Sequence, residues 1–189
     1  MSRAYRISVR ESLRRVLRAH DRVSTQLELL EILSPEEMAE LLSQELEKRG
    51  FERKEGELVR EQNGIEVSVD PKTGTVTVAA ESSEEVELQG DREGTAWDDV
   101  GVSAANVREG LKKQLRQDLE KQADKKTSEL QSQVTDRLEK QLGDLRQELD
   151  QAVNRVTAES LKAKARRMGQ IKEMTEDPQT GSLTIVVEV

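Results

Sequence analysis

The side chains able to carry chemistry are few. His20 is the only histidine of the chain, and cysteine is absent. The absence of cysteine excludes a thiolate nucleophile, and a single histidine excludes a multi-histidine metal site and leaves little for Ser-His-Asp chemistry. We therefore expect no catalytic residue, no cofactor and no metal, and we interpret His20 as a surface turn residue.

Carboxylates are abundant in the first half of the chain, and closely spaced carboxylates are ligands that Ca²⁺ or Mg²⁺ prefers. The densest group is Glu81, Glu84, Glu85, Glu87, Asp91, Glu93, Asp98 and Asp99. It lacks the spacing and the glycine of an EF-hand loop, which favours a solvated acidic linker over residues 90–102. Trp97 beside Asp98 and Asp99 is a candidate partner-docking patch, with packing on a sheet as the alternative.

Arginines recur every four residues near the N-terminus, at Arg10, Arg14, Arg18 and Arg22. Such a row is suited to phosphate, but no aromatic residues for base stacking accompany it and an acidic block follows. Net charge is +3 over residues 1–33, −12 over 34–102, +4 over 103–168 and −3 over 169–189. We therefore favour an ion-pair face, within the chain or between subunits, over a nucleic-acid surface.

Composition describes a polar protein of 189 residues. Charged residues make up 36% and apolar residues 34%, below the roughly 45–50% apolar usage of ordinary domains. No apolar run approaches a membrane span, and no secretory signal is visible. We expect a cytoplasmic protein without membrane contact.

The element with the clearest boundaries is a helix over residues 35–49. Ser34 before Pro35 is an N-cap followed by a first-turn proline, and Glu37 completes a capping box. Gly50 ends the helix, and Phe51 is placed to pack on its last turn. Met38, Leu41, Leu42 and Leu46 form its apolar stripe.

Strands are predicted on both sides of this helix. After it come residues 57–61, 65–69, 76–80 and 86–88, with turns at Asn63-Gly64 and at residues 70–74. Before it, residues 5–9 alternate as a strand. The stretch that follows fits either a short helix or a strand that turns at residues 20–22 into 23–30.

From Ser103 the chain reads as helix for about sixty-five residues without proline. Its apolar stripe is Val107, Leu111, Leu115, Leu119, Ala123, Leu130, Val134, Leu138, Leu142, Leu145, Leu149, Val153 and Val156. A lapse at residues 123–128 leaves a helical hairpin open. We expect the arm to pair with a second copy, fold on itself or stand in solvent. The leucines Leu138, Leu142, Leu145 and Leu149 are a candidate partner seam, with packing inside the chain as an equal alternative.

A nine-residue segment recurs: residues 70–78 (DPKTGTVTV) and residues 177–185 (DPQTGSLTI) are identical at five positions. The second copy joins strand-like runs at 170–176 and 183–189. This pattern indicates either shared turn chemistry or a duplicated β unit whose hairpin returns to complete the first sheet.

These segments resemble a family of bacterial proteins. The resemblance is carried by Met1–Ile7, Glu11-Ser12-Leu13, Leu27–Leu30, Glu47–Phe51 and the Asp-Pro-x-Thr-Gly hairpin. They are similar to accessory proteins of ternary systems with FtsH-like or MoxR-like AAA+ ATPases. The resemblance implies an accessory subunit beside an ATPase and no catalytic residues.

The sequence thus predicts an α+β protein with a small sheet, one capped helix, a long helical arm and a C-terminal β-hairpin. Predicted domains are 1–89, the linker 90–102, the arm 103–168, as a coiled coil, and the hairpin 169–189. We expect a non-enzymatic adaptor with protein partners, an AAA+ ATPase among them, and homo-oligomers through the arm. The alternatives are nucleic-acid binding through the arginines and the basic arm, and a purely structural coiled-coil oligomeriser.

Overall fold

The structure is a computed structural model that describes residues 4–97, 101–176 and 182–188. Its strands are β1 (Tyr5–Gln26), β2 (Glu52–Lys54), β3 (Glu57–Gln62), β4 (Ile65–Val69), β5 (Thr75–Ala96), β6 (Gln170–Glu176) and β7 (Leu183–Glu188). The helices are α1 (Pro35–Lys48) and α2 (Val102–Met168). This architecture confirms the α+β class, with one capped helix, one long helix and a C-terminal hairpin.

Helix α1 begins and ends as the sequence predicts. The Ser34 hydroxyl accepts from the Glu37 amide, and the Glu37 carboxylate accepts from the Ser34 amide, which completes the capping box. Gly50 has φ +85°. The amides of Gly50 and Phe51 donate to the carbonyls of Glu47 and Leu46, which is the Schellman arrangement.

The two predicted turns are also present. Asn63 and Gly64 both have positive φ and join β3 to β4, as a two-residue hairpin requires. Between β4 and β5, the Asp70 carboxylate accepts from the Lys72 amide and the Thr73 hydroxyl. The turn closes at Gly74, which has φ +72°.

Strand order in the main sheet is β1-β5-β4-β3-β2, while β6 and β7 form a separate two-stranded sheet. The expectation that the C-terminal hairpin completes the first sheet is therefore wrong. Its strands over 170–176 and 183–188 are confirmed, and the repeated turn at 177–181 lies outside the described residues. Ion pairs from Arg155 and Lys162 of α2 to Glu176 link the hairpin to the preceding helix instead.

The N-terminal segment is one 22-residue strand, with neither a helix nor a turn at residues 20–22. Ile7, Val9, Leu17 and Ala19 are buried, all at odd positions, which is the period of a strand. A spacing of four keeps residues on one side of a helix and also on one side of a strand. The arginine series therefore fitted both interpretations.

Strand β5 continues through Ala96, so residues 90–96 are strand and the predicted linker is wrong there. The glycines that suggested a linker have a packing role. A Cβ added to Gly90 would lie 2.8 Å from a methyl carbon of Leu115, and one added to Gly94 would lie 3.0 Å from a methyl carbon of Leu111. Glycine lets the side chains of α2 approach the β5 backbone.

Helix α2 is a single helix of 67 residues, so the helical hairpin is ruled out. Through the predicted weak point, the hydroxyls of Thr127 and Ser128 donate to carbonyls one turn back. Ala123, Val134, Leu145 and Val156 are all buried and are spaced by eleven residues. An eleven-residue repeat follows a nearly straight helix rather than the left-handed supercoil of a heptad coiled coil.

The chain divides into two compact units that each combine distant segments. Unit 1 comprises Met1–His20 and Glu81–Thr135, and unit 2 comprises Asp21–Ala80 and Asp136–Val189. These units differ from the successive domains predicted from sequence, because β1, β5 and α2 each contribute to both. In unit 1 the inner faces of β1 and β5 pack on α2 through Val9, Leu13, Leu88, Leu111, Leu115, Leu119 and Ala123.

Gly74 gives a direct test of the turn between β4 and β5. Its φ of +72° disfavours any L side chain, and an added Cβ would lie 3.2 Å from the Leu27 carbonyl oxygen. We expect Gly74→Ala to lower the free energy of unfolding by about 1–2 kcal/mol. The matched control Gly110→Ala, in α2 with no atom near the added Cβ, should raise it by about 0.5–1 kcal/mol. Urea unfolding of both variants distinguishes them, and equal effects would contradict this turn geometry.

Candidate interaction surfaces

The leucines predicted as a partner seam belong to the core of unit 2. Leu138, Leu145 and Leu149 are 1%, 7% and 4% exposed, and Leu142 is half-buried. Leu145 lines a small cleft together with Ile65 and Val67 of β4. The chain's own residues cover the stripe of α2, which is the alternative of packing inside the chain. The expectation that the helix needs a second copy, a hairpin fold or solvent is therefore wrong.

The arginine row lies on the exposed face of β1. Arg10, Arg14, Arg18 and Arg22 occupy even positions, opposite the buried odd positions. Arg14 forms a 3.2 Å ion pair with Glu85. Among the residues that the structure describes, no ion pair engages the other three side chains of this series.

An acidic row lies beside it on β5. Glu81, Glu85, Glu87, Asp91 and Glu93 occupy odd positions, and all five are exposed. Arg6 pairs with Glu93 at 2.8 Å, and Arg14 with Glu85. From the first pair to the second, the residue number increases on β1 and decreases on β5, so the two strands run antiparallel.

This acidic row is not arranged around an ion. Within the described ranges, no group of three His, Cys, Asp or Glu side chains is placed to hold a metal. Alternate outward positions on one strand spread the carboxylates along its length, whereas a cation needs them to converge. Asp98 and Asp99, the last members of the predicted acidic cluster, lie outside the described residues.

Trp97 stands in solvent at the end of β5. It is 72% exposed, so the alternative that it packs on the sheet is wrong. Val102, at the start of α2, is 77% exposed, and Tyr5, at the start of β1, is 39% exposed. Because Arg6 meets Glu93, Tyr5 and Trp97 belong to the same end of the β1–β5 ribbon.

His20 is exposed, as expected, but it lies within β1 rather than in a turn. Its backbone carbonyl accepts a hydrogen bond of 3.0 Å from the side-chain amide of Gln131. Among the described residues, the imidazole has no nucleophile or carboxylate partner. The backbone contact holds α2 against β1 within unit 1.

Unit 2 contains a polar cluster that sequence reasoning missed. The Arg60 guanidinium forms a two-pronged ion pair with Glu148 at 2.7 and 2.8 Å. It also donates to the Arg49 carbonyl and lies 4.4 Å from the centre of the Phe51 ring. Arg49 in turn donates to Glu45 and to the Glu148 carbonyl. The cluster ties β3, α1 and α2 together, and no local pattern links residues 88 positions apart.

A second ion pair joins the beginning of α1 to the end of α2. Arg167 donates to the Glu37 carboxylate, which also accepts from the Ser34 amide. The hydrogen bond from Arg167, followed by that from Ser34, lowers the pKa of Glu37 from 4.5 to about 2. The negative end of α2 and the positive end of α1 also favour these charges.

A groove of about 450 Å³ runs between α1 and the strands of unit 2. Its lining includes the apolar residues Ala39, Leu58 and Pro71 and the charged residues Glu36, Glu40, Arg53 and Lys72. Arg53 forms ion pairs with Glu40 and with Glu47 at 3.3 and 2.9 Å. Glu40 and Arg53 are thus already paired with each other within the chain.

The chain is thus an α+β protein that exposes rows of charged side chains and an aromatic end. The family model described as "FtsH ternary system domain X5" matches residues 1–189, so the chain belongs to that family. No curated protein and no solved structure matches the chain. Within the described residues, neither helix is both long and apolar enough to cross a membrane.

Because of the Arg60–Glu148 ion pair, we expect the free energy of unfolding to fall at acidic pH. Hydrogen bonding to Arg60 lowers the pKa of Glu148 below 4.5. A carboxylate with a lowered pKa in the folded state stabilises the fold above its unfolded pKa, and this contribution is lost as pH falls through the folded pKa. We expect Glu148→Gln to cost about 1–3 kcal/mol at pH 7 and to reduce the loss of stability below pH 4.5.

Thermal unfolding between pH 7 and pH 3 measures this effect. Glu139→Gln is the control, because Glu139 is exposed on α2 and has no ion pair among the described residues. If the melting temperature fell equally steeply with decreasing pH in both variants, the result would contradict a stabilising role for the pair.

Proposed function

We propose that this chain is a non-catalytic accessory subunit that binds an AAA+ ATPase of its FtsH ternary system. Membership of the family supports the setting. The observation that carries the proposal is the exposure of Trp97 at the end of the β1–β5 ribbon.

Tryptophan is a costly residue to leave in water and is enriched among the residues that dominate binding energy at interfaces. Here it is followed after a short interval by Val102, and Tyr5 belongs to the same end of the ribbon. The chain has only three aromatic residues, and two of them are exposed at this end together with Val102. This concentration of exposed apolar side chains favours a protein partner at this end.

The charge rows support a protein partner over nucleic acid. A row of carboxylates on β5 lies next to the arginines of β1. Two of these arginines, Arg6 and Arg14, are already neutralised by ion pairs with carboxylates of β5. A polyanion following the arginine row would run beside the carboxylates of β5, and their repulsion opposes binding.

Substitution of Trp97 tests the proposal. We expect Trp97→Ala to weaken binding to the purified ATPase of the ternary system by about tenfold or more, because a hot-spot tryptophan contributes about 2 kcal/mol or more. Leu30→Ala is the matched control, since Leu30 is 62% exposed and belongs to unit 2. Biolayer interferometry with the immobilised ATPase measures both.

An ATPase that does not bind the wild-type chain would refute the proposal, and so would equal affinities for the two variants. Steeply salt-dependent binding to duplex DNA, lost in an Arg10→Gln and Arg18→Gln double variant, would favour nucleic acid instead.

A further inference from the structure

The β1–β5 ribbon of unit 1 has two free edges. The pairing of β4 with β5 ends at Ala80, and β1 neighbours only β5 in the sheet. Over residues 81–95 of β5 and residues 6–18 of β1, each strand therefore has an edge with no strand partner among the described residues. Free edges of this length present a row of backbone donors and acceptors to any complementary strand.

The outer faces of the two strands that border these edges carry opposite charge. The exposed side of β1 bears Arg6, Arg10, Arg14 and Arg18, while that of β5 bears the acidic row. Within one chain the ribbon uses only some of these charges, through the pairs Arg6–Glu93 and Arg14–Glu85. Across the described residues, Arg10 and Arg18 form no ion pair, and neither do Glu81, Glu87 and Asp91.

We propose that copies of this chain associate edge to edge through unit 1, with β1 of one copy adding antiparallel to the free edge of β5 in a second copy. The chain itself already shows that these two strands pair, with their basic and acidic rows side by side. The contact repeats that pairing between copies and engages the arginines and carboxylates that the intramolecular pairs leave over.

Other ways of joining two copies are less favourable. Pairing β1 with β1 places arginines opposite arginines, and pairing β5 with β5 places carboxylates opposite carboxylates, both of which destabilise a sheet. Stacking the charged faces of two ribbons would remove both rows from water at a high desolvation cost. Edge pairing leaves the rows hydrated while backbone hydrogen bonds form.

The geometry also bounds the contact. The Gln131 side chain occupies the His20 carbonyl, so the added strand is expected to cover the part of β1 that precedes His20. Different edges meet on the two copies, so the contact is head-to-tail and can continue into a ring or a short chain of subunits.

Sedimentation velocity with paired charge swaps tests the proposal. One variant carries Arg10→Glu and Arg18→Glu, and the other carries Glu87→Arg and Asp91→Arg. Each variant alone should associate at least about tenfold more weakly than wild type, because like charges then meet across the contact. An equimolar mixture should restore association, because the altered β1 edge then faces the altered β5 edge.

The control carries Arg108→Glu and Arg146→Glu on exposed positions of α2 and should associate like wild type. Wild-type association should weaken between about 0.1 M and about 1 M salt, where the Debye length falls from about 10 Å to about 3 Å. Hydrogen exchange should gain protection in residues 6–18 and 81–95 as protein concentration rises.

A wild-type chain that remains at 21.3 kDa at every concentration in low salt would overturn the proposal. The proposal would also be overturned if both swap variants still associated like wild type, or if a mixture of the folded variants failed to associate. It would be overturned as well if hydrogen exchange gained protection only outside residues 6–18 and 81–95. Circular dichroism establishes that each variant is folded, and the mixture of swaps makes the result independent of small losses in stability.

Discussion

The structure depends on one constraint: a helix of 67 residues carries a long apolar stripe that must be removed from water. The chain meets it with its own strands. In unit 1, Leu115 and Leu119 of α2 pack with Val9 and Leu88 on the inner face of the ribbon. Both strands are 22 residues long, and their portions in unit 1 pack on α2.

The packing of strands on the helix determines which surfaces of the protein remain exposed. Each strand has two faces, and in unit 1 the inner face is taken by α2. The outer face is free to hold charges, and the arginine and carboxylate rows occupy it. The surfaces of unit 1 that remain exposed are therefore the charged rows, the free edges and the aromatic end of the ribbon, whereas the leucine stripe is structural.

Locally encoded features were predictable from sequence, and features that depend on contacts distant in the chain were not. The caps of α1 and the turns at Asn63-Gly64 and Asp70–Gly74 each use a few adjacent residues. Arginines four apart fit a helix and a strand equally, so β1 was ambiguous. Gly90 resembled a linker glycine because the leucine that requires it is 25 positions away. The Arg60–Glu148 pair was invisible for the same reason.

The central claim, that the stripe of α2 is the chain's own core, is tested most directly by a disulfide. The chain has no cysteine, so Gly90→Cys with Leu115→Cys introduces only one possible pair, at a site where a Cβ on residue 90 lies 3.8 Å from the Leu115 Cγ. Oxidation should produce an intramolecular disulfide at a rate independent of protein concentration. The control pair Gly90→Cys with Lys113→Cys, on the exposed side of α2, should not. Disulfides formed only between chains, or in neither variant, would contradict the account.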